Sequence, residues 1–287
     1  MYKVAILGCE NSHAAGFLNV IREEKIDDIE ICGVYSYDSA AAQALHEKFG
    51  VPVMENYDSL VGQLDGLIIT ARHGDNHYKY AKPYLNDGIP MFIDKPITIS
   101  EEEAAEFKAI LEEKKIPACG GSMCVYADHV QKLKEEIAKS EHGKVLGGSV
   151  RAPLYLDSEY GGFFFYAQHL VQVMCSIFGY FPNSVQLFKN ENKVTCVTRY
   201  DDYDITGLYV DHDTSGVYTA GVMFEKALID QAYGLENCSS REFHSFYNIL
   251  KGGKQEHSYD EIFAPVPILN AMNRSLISGK EEKVNKL

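Results

Sequence analysis

Residues 65–98, DGLIITARHGDNHYKYAKPYLNDGIPMFIDKPIT, constrain the fold more than any other stretch of the chain. Two short apolar runs, Leu67-Ile68-Ile69-Thr70 and Met91-Phe92-Ile93, flank a segment of helical length that carries Asn76-His77, Tyr80-Ala81 and Tyr84-Leu85. Uninterrupted apolar runs on either side of a helix are the pattern of parallel strands covered on both faces and joined by a crossover. The second run leads straight into Asp94-Lys95-Pro96. The carboxyl ends of such strands line the ligand crevice of a doubly wound sheet, so this strand delivers an ammonium there. Pro96 fixes the local backbone and biases Lys95 towards an extended conformation.

The flanking sequence repeats the alternation. Residues 4–7 and 29–35 read as strands, with helices starting near Ser12 and covering 39–49. A short strand is expected at 51–53 and a short helix at 58–64. Ser100 with Glu103 three residues on predicts a capping box for a helix over 100–114, and Pro117-Ala118-Cys119 opens another strand. Repeated βα units predict an α/β fold, with a Rossmann doubly wound parallel sheet over residues 1–120. After Gly121 the pattern changes to a helix at 129–140, a strand at 145–156 and an apolar helix at 163–178. Strand-like runs separated by turn signals then fill 185–233, and closing helices are expected at 243–250 and 268–278. Residues 121–287 are therefore expected to form an α+β domain with an open, mainly antiparallel sheet.

Asp94-Lys95-Pro96, with the strand–helix–strand before it, resembles the Gfo/Idh/MocA family of NAD(P)-dependent oxidoreductases, whose members carry Glu-Lys-Pro at this point. The resemblance extends in element order over nearly the whole chain. It implies NAD or NADP as cofactor, and a homo-oligomer (dimer or tetramer) assembled through the second sheet.

The first turn departs from the family. A dinucleotide turn usually reads G-x-G-x-x-G, whereas this chain has Gly8-Cys9-Glu10-Asn11-Ser12-His13, keeping only the first glycine. Free amides at the helix start and side-chain donors from Asn11 and Ser12 remain suited to a phosphate. Glu10 would repel one by about 1–4 kcal/mol at about 4 Å, so it is expected to turn aside and pair with Arg72. A turn that has lost its ligand is the alternative.

Ser36 stands where NAD-specific members place an acid for the adenosine ribose. Tyr37 is a candidate to cover the adenine, and Asp38 serves either the ribose or the next helix as its cap. Residues 34–46 contain no Lys or Arg for a 2′-phosphate, so NAD and NADP both stay open. By the resemblance, Thr70, Ala71, Arg72 and His73 border the pyrophosphate and nicotinamide ribose, His77 matches the last histidine of the family loop, and Asp94, Lys95 and Pro96 complete the cofactor set.

Hydride transfer from an alcohol carbon needs a proton acceptor and a partner for the oxyanion. The resemblance assigns the oxyanion to Lys95. The family's second catalytic segment corresponds to residues 161–172, in which His169 keeps the histidine. Phe165 and Gln172 replace its two aspartates, leaving His169 to act alone or with Tyr166 as proton donor. A core role for His169 is the alternative. Tyr126, His129, Arg151, Tyr155 and Asp157 are further candidates for the pocket edge, each equally a structural residue.

Three readings follow. The first is an enzyme, an NAD(P)-dependent dehydrogenase or reductase acting on CH–OH groups of a sugar, polyol or related small molecule. The second is a non-catalytic nucleotide- or metabolite-binding relative. The third is a redox-neutral enzyme with tightly bound NAD. A net charge of −14 argues against nucleic acid and anionic membrane as partners. Seven scattered cysteines and the absence of a leader or membrane-length apolar run point to the cytoplasm. No His/Asp/Glu cluster has metal-ligand spacing, so no metal is expected.

Overall fold

A computed structural model describes residues 1–287. The chain divides into two compact units, residues 1–121 with 239–262, and residues 122–238 with 263–287.

In the first unit, β1 (Tyr2–Leu7), α1 (Ser12–Glu23), β2 (Ile29–Tyr35), α2 (Ser39–Phe49), β3 (Gly66–Ile69), α3 (Asp75–Ala81), β4 (Met91–Asp94), α4 (Glu101–Lys114) and β5 (Ala118–Gly121) alternate along the chain. The five strands are all parallel, in the order β2-β1-β3-β4-β5. β3 and β4 are buried along their whole length, which is why both read as unbroken apolar runs. Because β1 lies between β2 and β3, successive crossovers run to opposite sides of it, and a crevice opens at the carboxyl ends of these strands.

Three local expectations change. Val53 makes only an isolated bridge to Val34 instead of a strand over 51–53. Residues 58–64 are turns, not helix, since Gly62 adopts φ +73° and Ser59 bonds back to Asn56. The capping box is half formed: Ser100 accepts from the Glu103 amide at 3.1 Å, but its hydroxyl donates to Glu102.

In the second unit α5 (Asp128–Lys139), β6 (Val145–Leu154), α6 (Phe164–Phe178), β7 (Ser184–Asn190), β8 (Lys193–Arg199), β9 (Asp204–Asp211), β10 (Tyr218–Phe224) and β11 (Leu228–Tyr233) come first. The sheet order is β11-β10-β6-β9-β8-β7-β12, where β12 is Glu282–Lys283. It is not a simple meander, because β6 inserts between β9 and β10 and runs parallel to β9. The apolar α6 is buried almost throughout, and Tyr209 on β9 donates to its Ala167 carbonyl at 2.8 Å.

The expectation of a continuous second domain over 121–287 needs correction. Helix α7 (Cys238–Leu250) carries the chain back, and residues 239–262 belong to the first unit. Phe243, Phe246, Ile249 and Leu250 join the core formed by Val4, Ile6, Phe17, Ile68 and Phe92. Each buried phenylalanine contributes about 1.5–3 kcal/mol by leaving water, which explains the return. Helices α8 (Tyr259–Phe263) and α9 (Pro265–Ser278) follow, and no helix is long and apolar enough to cross a membrane.

Candidate active site

The turn after β1 begins with Gly8 at φ +79°, packed so closely on Ala71 that a Cβ would collide with its backbone. The Gly8 and Cys9 amides both donate to the Tyr35 carbonyl, at 2.8 and 3.0 Å, stapling the turn to the end of β2. Thr70, fully buried at the end of β3, donates to the Gly8 carbonyl at 3.1 Å. The conformation therefore needs glycine only at position 8; Glu10 and His13 lie outside the positive-φ region.

Glu10 does turn aside. Its Oε2 accepts from the Ser36 hydroxyl at 2.7 Å and its Oε1 from the Arg72 main-chain N–H at 3.1 Å. The bond to Arg72 seen here is a main-chain contact and would survive loss of the guanidinium. Asp38 caps α2, accepting from the Ala40 amide at 3.1 Å, and Tyr37 is exposed. His73 accepts from the Asp75 amide at 3.3 Å beside the start of α3.

Asp94 closes β4 and organises a buried cluster. Its Oδ1 accepts from the Lys95 amide at 2.7 Å, its Oδ2 from Asn11 Nδ2 at 3.0 Å, and His13 Nδ1 lies 2.8 Å from Oδ2. The His13 contact is an ion pair rather than a well-directed hydrogen bond. Asn11 also caps α1 by accepting from the His13 amide, while Ser12 Oγ reaches Asn11 Oδ1 at 3.4 Å. Burial alone would raise the Asp94 pKa, but His13, Lys95 and His77 hold it below the usual carboxylate range. Burial opposes charge on His13, yet Asp94 and Glu242 lift its pKa above the ordinary value.

Lys95 is 3% exposed, and the Lys95–Pro96 peptide is cis. His77 is wholly buried, so its ring holds loops rather than touching a ligand. Nδ1 lies 2.6 Å from the Pro96 carbonyl and Nε2 2.8 Å from that of Ala71, tying the segments after β4 and β3 together. Burial lowers its pKa, and a neutral ring donates to only one of those carbonyls.

Sequence reasoning missed Glu242. It is 1% exposed on α7, and neither carboxylate oxygen has a hydrogen-bond partner. Burial pushes its pKa up to about 8, with His13 and Lys95 opposing and Asp94 reinforcing the shift. No sequence signal marks it, since a glutamate on a helix defaults to solvent.

The second unit holds the other catalytic candidates. His169 is buried on α6, its Nδ1 2.7 Å from Ser122 Oγ and 3.5 Å from Cys124 Sγ. Gln172, in place of the family's later aspartate, accepts from the Ser122 amide at 2.8 Å and from Gln168 at 2.9 Å. Tyr166 meets His169 edge-on at 4.9 Å between ring centroids, and Tyr155 at 4.8 Å. Phe165, in place of the family's earlier aspartate, lies against Tyr160 and Tyr166. Among the pocket-edge candidates, Arg151 pairs with Asp213 at 2.7 Å, His129 with the Ala220 carbonyl at 2.8 Å, and Asp157 with His212 at 3.0 Å. Tyr126 ends a 3₁₀ turn over Met123–Tyr126.

Residues 2–119 match the family described as an oxidoreductase family with an NAD-binding Rossmann fold, Gfo/Idh/MocA. Glucose-6-phosphate 3-dehydrogenase of Bacillus subtilis (strain 168) is 30% identical over 149 residues, 51% of this chain and 41% of that protein. The match thus spans about two fifths of that relative's length. Myo-inositol 2-dehydrogenase from Lactobacillus plantarum shares the fold with a TM-score of 0.84 at 16% identity, covering 99% of both chains. Scyllo-inositol dehydrogenase from Lactobacillus casei, solved with NAD(H) and scyllo-inositol, shares it with a TM-score of 0.84 at 14% identity and the same coverage.

Proposed function

We propose that this chain is a cytoplasmic NAD(P)-dependent oxidoreductase that moves hydride to or from a secondary hydroxyl of a sugar, polyol or related small molecule. The observation that carries the reading is Lys95, seated beside a buried Asp94–His13 ion pair at the end of β4 in a family-matched Rossmann sheet. The sugar and inositol dehydrogenases among the relatives support the substrate class.

The donor set suits a dinucleotide. Strand ends converge on the turn after β1, Glu10 offers a carboxylate for a diol, and Lys95 offers a cation. Gly8, Asn11, Ser12, Ser36, Thr70 and Ala71 would border it, with His77 holding the loops. When bound, the nicotinamide supplies a hydride acceptor or donor. Lys95 stabilises the oxygen of the substrate as it loses or gains its proton, an effect of the kind worth about 10²–10³ in rate. His169 takes or returns that proton, its ring oriented through Nδ1 by Ser122. Tyr166 is the second proton carrier.

A homo-oligomer through the second sheet accompanies this reading, supported by the exposed Leu146, Phe188, Met223 and Leu228 on its strands. A second reading, a non-catalytic binding relative, is favoured by Phe165 in place of an aspartate and by the altered turn.

Calorimetric titration of the full chain with NADH and NADPH tests the cofactor directly. Micromolar binding of either is expected. Folded, cofactor-free protein that binds neither would contradict the oxidoreductase reading.

A further inference from the structure

We infer that Glu10 is the cofactor-discriminating residue: its carboxylate, carried by the glycine turn and docked on Ser36, replaces the acid at the end of β2 and selects NAD over NADP. The inference rests on the dinucleotide reading above.

Discrimination in a Rossmann sheet is decided at the end of β2, where an acid accepts from the ribose hydroxyls and repels a 2′-phosphate. Here that end carries Ser36, a buried residue that supplies no charge. Its single donor is spent on Glu10 at 2.7 Å, and it accepts from the Asp38 amide at 3.0 Å. Asp38, the nearest other acid, is spent on capping α2.

Glu10 fills the vacancy from another element. The amides of Gly8 and Cys9 fasten the turn to the Tyr35 carbonyl, one residue before Ser36. The side chain then reaches the end of β2, one oxygen on Ser36 and the other on the Arg72 amide. A carboxylate offers about four acceptor sites, so with two donors bound it retains capacity for a vicinal diol. Two fixed donors also hold it in one orientation, which a flexible surface glutamate would lack.

The surrounding charge agrees. Burial, followed by the nearby Glu10 and Asp38 charges, pushes the Cys9 thiol up to about 12. Residues 34–46 contain no Lys or Arg to offset a phosphate monoester. The end of β2 therefore carries the carboxylates of Glu10 and Asp38 with no cation from its own segment, and a diol fits beside them where a dianion does not.

The test is calorimetric titration of NADH and NADPH into cofactor-free full-length protein, Glu10→Gln and Ser36→Ala, with thermal unfolding confirming that all three are folded. The wild type is expected to bind NADH at least about tenfold more tightly than NADPH, by like-charge repulsion at the 2′ position. Glu10→Gln should weaken NADH and shrink the preference to within about threefold, as the charge is lost at constant shape. Ser36→Ala, which frees one carboxylate oxygen, should fall between. Equal or tighter NADPH binding by the wild type would overturn the inference while leaving the dinucleotide reading intact, as would an unchanged preference in Glu10→Gln. Tighter NADH binding by Glu10→Gln would also overturn it, making the carboxylate an obstacle to the diphosphate. Binding of neither cofactor would remove the dinucleotide reading and the inference together.

Discussion

The two units assemble their candidate residues by opposite means. In the first, the buried Asp94, Lys95 and Glu242 and the largely covered His13 are ionisable groups set together, and the titrations of Asp94, His13 and Glu242 are shifted by their charged neighbours. In the second, His169 meets the uncharged Ser122, Cys124 and Tyr166, with Gln172 accepting from the Ser122 amide. Charge needs a rigid, compensated setting because an unpaired buried ion costs several kcal/mol. Proton exchange by imidazole needs only orientation, and one hydroxyl on Nδ1 supplies it. The first unit therefore invests in electrostatics and the second in alignment, so removing one residue from each should produce different failures.

Asp94→Ala should produce the largest effect. It strips the anion from a buried pair and should cost about 3–5 kcal/mol of stability, read by denaturant unfolding at pH 7. Because the folded pKa of Asp94 is depressed, its contribution is present above about pH 3.9 and is lost as pH falls through the lower folded value. The gap between variant and wild type should accordingly narrow in acid. A loss below about 1 kcal/mol at pH 7 would break the contrast, because the cluster would then be uncompensated without penalty.

His169→Asn should leave stability nearly unchanged and lower turnover by about 10²-fold, the smaller end of general acid–base contributions. A large stability loss with normal turnover would return His169 to the core.

Glu242→Gln sharpens the comparison through pH. Its folded pKa of about 8 lies above the unfolded value of about 4.3, so the wild type loses stability as pH rises between them. At about pH 3.5, below both values, the variant should match the wild type, since glutamine mimics the protonated acid. At pH 8.5 it should be the more stable by about 1–3 kcal/mol, seen as a higher Tm. A variant that is less stable at pH 8.5 would show that Glu242 is charged and paired.

The sequence made legible whatever depends on strand ends. The run from β4 into Asp94-Lys95-Pro96 and the start of α1 at Ser12 both follow from local pattern, as does α2 over Ser39–Phe49. Long-range placement was not legible. Nothing local says that α7 leaves the second unit to bury Glu242 with His13, or that β6 inserts between β9 and β10. Glu10 was the most misleading residue: read along the chain it is a flaw in a glycine turn, and only the end of β2 gives it a partner. Tertiary proximity changes the meaning of such a residue without changing its local signal.

The most direct test of the account is hydride tracing. Protein and oxidised cofactor would be incubated with a panel of carbon-deuterated inositols and hexoses, and the recovered cofactor examined by mass spectrometry. The account predicts deuterium in the reduced nicotinamide with at least one compound, and its loss in Lys95→Ala. Unlabelled cofactor across the panel, from protein that binds NADH, would contradict hydride transfer and leave a binding protein.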